Sequence, residues 1–169
     1  MHKYVILLRG VNVGGKNLIA MKELKVLLES NGFHGVQTYI QSGNIVLSNE
    51  TYPRQKIVEI IESEFGFLPT VLVLSEQAFL SAVSSSPYSK HEAKTVHFYF
   101  CDGLPKLDAE KLDKLIAPTE RVELVGHVFY LHAPDGIGRS KLVASIESCL
   151  GTAATGRNLN TVNKLVSLL

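Results

Sequence analysis

A chain of 169 residues, 46% apolar and 20% charged, holds enough Val, Ile, Leu and Phe to bury a core, which excludes an intrinsically disordered protein. Its 17 basic and 16 acidic residues leave a formal charge of +1, which argues against a generic nucleic-acid binder but leaves room for a local basic patch. The chain shows neither a signal-peptide core nor a membrane-length apolar run, so a cytoplasmic protein with no membrane partner is expected, with Cys101 and Cys149 reduced.

Residues 4–9 form a short apolar run closed by glycine and predict a strand; the Gly- and Asn-rich residues 10–17 predict a loop. From Met21 the apolar period becomes helical. Met21, Leu24, Leu27 and Leu28 share one face, and Lys22, Glu23, Lys25 and Glu29 the other. Asn31-Gly32 ends this helix, since both residues tolerate positive φ. Residues 36–41 and 45–47 are β-rich about the turn Ser42-Gly43-Asn44, a hairpin pattern. Pro53 opens a second helix with the stripe Ile57, Ile60, Ile61 and Phe65, and Gly66 ends it. Residues 70–74 supply a fourth strand. The first half thus reads β-α-β-β-α-β, the ferredoxin-like split unit, with two helices on one face of an antiparallel sheet.

Ser75 caps a helix carrying Phe79, Leu80 and Val83, and residues 84–94 form a polar loop. A strand over 95–101 is followed by a helix over 107–116, capped by Asp108. Residues 121–125 and 127–132 make a hairpin about Gly126. A helix over 140–150 stops at Gly151. Asn160 or Thr161 caps a final helix bearing Val162, Leu165, Val166 and Leu169. The second half reads α-β-α-β-β-α-α. The expected class is α+β, with two ferredoxin-like-type sub-domains over 1–74 and 75–169, in separate cores or one shared core.

Three segments stand out together: Leu7-Leu8-Arg9-Gly10-Val11-Asn12-Val13-Gly14-Gly15-Lys16-Asn17, then Thr38-Tyr39-Ile40-Gln41-Ser42-Gly43-Asn44, then Thr155-Gly156-Arg157-Asn158-Leu159-Asn160-Thr161-Val162. With them in this order the chain resembles, over essentially its full length, the bacterial domain of unknown function 1697 family. Leu159 stands where that family usually carries tryptophan. The resemblance implies ferredoxin-like α+β sub-domains and no activity, so function has to come from the residues.

Four segments have the chemistry to bind. In the first loop, Arg9 and Lys16 offer charge and Asn12 and Asn17 offer donors, while the glycines allow close approach of backbone N–H groups. Neither GxxxxGK[ST] nor GxGxxG is present. Gln41, Ser42 and Asn44 surround the hairpin turn and either orient a ligand or simply build the turn. Arg139, Ser140 and Lys141 follow glycines at a predicted helix start, where two cations oppose the helix dipole and a bound anion would relieve them. Arg157 and Asn158 precede the last helix. The histidines form no HxH, HExxH or Cys/His cluster, so neither metal nor cofactor is expected. The reading that follows is a binding protein for an anionic small molecule or nucleic acid. The alternatives are an acylphosphatase-type hydrolase, with Arg9 on the phosphoryl group and Asn44 orienting water, and a structural or interaction protein.

Overall fold

The computed structural model describes all residues, Met1–Leu169. Two compact units result: Met1–Ser81 with Asn163–Leu169, and Ala82–Val162. The sequence pattern changes instead after Leu74, where the fourth strand gives way to a helix.

The first unit is built from β1 (His2–Arg9), α1 (Met21–Ser30), β2 (His34–Tyr39), β3 (Asn44–Asn49), α2 (Arg54–Phe65), β4 (Thr70–Ser75) and most of α3 (Glu76–Ser84). Its sheet runs β2-β3-β1-β4, antiparallel throughout. The central strand β1 buries Val5, Ile6, Leu7 and Leu8, a continuous apolar run, because both of its faces are covered. On one face Ile6, Leu8, Ile45, Leu47 and Val71 pack with Met21, Leu24 and Leu28 of α1 and Ile57, Ile60 and Ile61 of α2. Gly66 ends α2 at φ 77°. At the end of α1 only Gly32 takes positive φ; Asn31 stays at −96°, and its side chain donates to Leu27 O.

The second unit repeats this order with β5 (Val96–Cys101), α4 (Ala109–Leu115), β6 (Arg121–Val125), β7 (Val128–His132), α5 (Lys141–Ala144), α6 (Ile146–Leu150), β8 (Ala154–Asn158) and the start of α7 (Leu159–Leu168). The strand order β6-β7-β5-β8 matches that of the first sheet. Tyr99, Cys101, Phe129 and Leu131 pack beneath Leu112, Leu142, Ile146, Cys149 and Leu150. On the opposite face Phe98 stacks edge-on to Tyr130 at 4.9 Å.

Three elements differ from the sequence reading. Residues 154–158, for which the sequence pattern predicts no strand, form one. Glycine usually weakens a strand, but here the Tyr99 ring lies so close that a Cβ on Gly156 would sit 2.7 Å from it. The helix expected over 140–150 breaks at Ser145, whose N–H bonds Leu142 O in a tight i, i+3 turn. The last helix begins at Leu159, because Asn158 Oδ1 accepts from Thr161 N at 3.1 Å; neither Asn160 nor Thr161 is the cap. No helix is long and apolar enough to cross a membrane.

Candidate functional site

The loop after β1 is a miniature hairpin. Gly14 and Gly15, at φ 58° and 72°, make a two-residue turn closed by Lys16 N–H donating to Val13 O at 3.0 Å. One step outward, Asn12 N–H donates to Asn17 O at 3.1 Å. Asn12 and Asn17 both lie in the left-handed region, at φ 54° and 53°. Asparagine tolerates that conformation because its short polar side chain bonds locally. Asn17 Nδ2 donates back to Gly10 O at 3.1 Å.

Asn12 ties this hairpin to its surroundings. Its Oδ1 accepts from Ile19 N at 2.8 Å, and its Nδ2 hydrogens serve Ile19 O at 3.0 Å, Gln41 O at 2.8 Å and Gln41 Oε1 at 3.2 Å. The β2–β3 turn is thereby fastened to the β1–α1 loop. In that turn Gly43 takes φ 90°, and its carbonyl accepts from Leu8 N at 2.8 Å. Asn44 is fully buried; its Nδ2 hydrogens go to Tyr39 O and Ser42 Oγ, each at 2.9 Å.

Seven of the sequence candidates therefore gather at one end of the first unit: Arg9, Asn12, Lys16, Asn17, Gln41, Ser42 and Asn44. They divide by role. Asn12, Asn17 and Asn44 hold backbone, and Ser42 Oγ accepts from Asn44. Lys16 and Gln41 are exposed, and Arg9 is half-buried at the root of the loop. The flanking segments, 1–22 and 30–49, contain no Asp or Glu, whereas Lys3, Arg9, Lys16 and Lys22 fall within the first of them.

In the second unit the other candidates fall in two segments. Arg139, just before α5, and Lys141, its first residue, are exposed. Ser140 caps that helix, accepting from Val143 N at 3.2 Å, and donates to Glu120 Oε2 at 2.7 Å. Glu120 is 5% exposed, and its other oxygen accepts from Ala117 N at 2.8 Å. The negative charge at this helix start thus belongs to the chain itself. Arg157 and Asn158 sit on the edge strand β8. Burial pushes the Arg157 guanidinium down to about 10.

Sequence spacing gave no sign of two features. Glu120 reads as a solvated acid before a strand. His91 and His132, far apart in sequence, stack with ring centroids 3.9 Å apart and an 18° interplanar angle, with Tyr88 about 6 Å from each. No group of three or more His, Cys, Asp or Glu is arranged to hold a metal. Burial, helped by Asp102, pushes the Cys101 thiol up to about 11, the opposite of what a nucleophile needs.

A family model described as Protein of unknown function (DUF1697) matches residues 1–130. Among curated proteins none matches. Among solved structures the chain is similar to the conserved bacterial protein SP0830 from Streptococcus pneumoniae, at 23% identity and a TM-score of 0.70, over 99% of this chain and 98% of that one. At that identity the likeness speaks for the fold alone.

Proposed function

We propose, for a chain that belongs to the DUF1697 family and inherits no activity from it, that the protein binds an anionic ligand at the loop end of its first unit. One observation carries this reading. Lys16 stands exposed on a loop fastened by Asn12, within a stretch of chain, residues 1–22, that contains no Asp or Glu. A fixed loop loses little conformational freedom when a ligand arrives, and an exposed lysine attracts an anion. The exposed Gly14-Gly15 turn lets a ligand approach the backbone closely.

The acylphosphatase-type alternative has less support. Both amide hydrogens of Asn44 are donated within its own turn, so the residue assigned to orient water is occupied in holding backbone. A cytoplasmic location fits the two buried, unpaired thiols Cys101 and Cys149.

The test is a melting screen of the full chain against nucleotides, phosphorylated sugars and short oligonucleotides at low salt. Ligand at a hundred times its Kd stabilises by about 2.7 kcal/mol, enough to raise Tm measurably. The expected result is a rise for at least one anion that disappears in Lys16→Ala. No rise with any of them would remove the reading.

A further inference from the structure

The same loop end presents three exposed aliphatic side chains. Val13 is 64% exposed, Leu18 65% and Ile40 49%. Each is one residue from a group bonded through Asn12: Val13 follows it, Leu18 precedes Ile19, and Ile40 precedes Gln41. Ile40 is the informative member. Its φ is +48°, a left-handed conformation that β-branched residues avoid. Glycine or asparagine would fit that turn position without strain. Burial does not compensate, because half of the side chain faces solvent. Neither the turn geometry nor burial within the chain explains an isoleucine at this position.

We infer that the ligand joins a negative charge to an apolar ring plane: it is a nucleotide, free or as a unit of a single strand, with phosphate at Lys16 and the base against Ile40 and Leu18. This rests on the anion-binding reading above and narrows it. Inorganic phosphate or a phosphorylated sugar has no apolar face with which to use these side chains. Every nucleobase has a flat face that packs on apolar surface, irrespective of sequence. The acid-free segments on either side complement a phosphate-bearing partner.

Calorimetric titration of the full chain tests this with four probes: adenosine monophosphate, a short oligothymidylate, inorganic phosphate, and vesicles of an anionic phospholipid. The expected result is that at least one of the two nucleotide probes binds tenfold or more tighter than inorganic phosphate. Ile40→Asn should remove most of that advantage, leave phosphate binding unchanged, and melt no lower than the parent, because asparagine suits φ +48°. Lys16→Ala should weaken nucleotide and phosphate alike. Equal affinity for nucleotide and phosphate, or an Ile40→Asn variant that binds nucleotide as well as the parent, overturns the nucleotide inference and leaves the anion reading standing. Binding to vesicles but not to nucleotides likewise overturns it, in favour of a lipid headgroup. Failure of all four probes overturns both.

Discussion

Asn12 is the residue on which the candidate site depends most. It bonds Ile19 through both backbone groups and Gln41 through backbone and side-chain oxygens. Asn12→Ala should lower the unfolding free energy by about 1–3 kcal/mol, read as a lower urea midpoint at unchanged slope. Gly43 is similarly constrained: a Cβ there would lie 2.6 Å from Leu8 Cβ, at a φ of +90°. Steric overlap and left-handed strain act together, so Gly43→Ala should cost about 2–4 kcal/mol by the same measurement. By contrast Gly14 and Gly15 have open space around them, and their substitution acts through turn geometry alone. Such distinctions were only half legible in the sequence. The Gly and Asn content marked both loops as turns, but that Asn12 reaches Gln41, or that Glu120 is buried under Ser140, depends on how the chain folds back.

At the scale of elements, the amphipathic helices and the first four strands were readable because apolar periodicity and turn residues agree. β8 was not, because Gly156 and Arg157 look like loop residues until the Tyr99 ring is placed above the glycine. The caps show a regularity that spacing alone concealed. Ser75 Oγ accepts from Ala78 N and Asn158 Oδ1 from Thr161 N, each at 3.1 Å, where the fourth strand of each sheet turns into the following helix. Ser75→Ala and Asn158→Ala should each destabilise by about 1 kcal/mol in thermal melts.

The loop over 85–92 is held by a different element, the His91–His132 stack. Around it stand Tyr88, Arg121, which is the β6 register partner of His132, and Glu123 opposite Tyr130. Burial, then the charges of His91 and Arg121, hold the His132 pKa below its usual value; burial alone lowers that of His97, whose Nε2 has no hydrogen-bond partner. The folded state therefore binds fewer protons than the unfolded one as pH falls below about 6.5, and stability is lost from there downward. Urea midpoints should fall between pH 7.5 and pH 5, and His132→Phe, which keeps a ring but not the titration, should flatten that fall. A slope unchanged in His132→Phe would assign the loss to other groups.

As a whole molecule, the chain is one topology used twice: β-α-β-β-α-β followed by a helix. The register makes the halves comparable position by position. Leu8 N–H donates to Gly43 O in the first, Cys101 N–H to His127 O in the second, both at 2.8 Å. The next residue is Arg9 in one half and Asp102 in the other. The order of predicted elements already pointed to two ferredoxin-like-type sub-domains; the shared strand order and the matching bonded positions come only with the structure. The halves also differ where binding would occur, since the loop after β5 opens with an acid and contains no second hairpin. Backbone amide shift mapping during titration with inorganic pyrophosphate therefore tests the central claim most directly. The account predicts perturbations at Gly14, Gly15, Lys16 and Gln41, and none at residues 102–106. Perturbations confined to residues 136–141 or 102–106, or none anywhere, would contradict it.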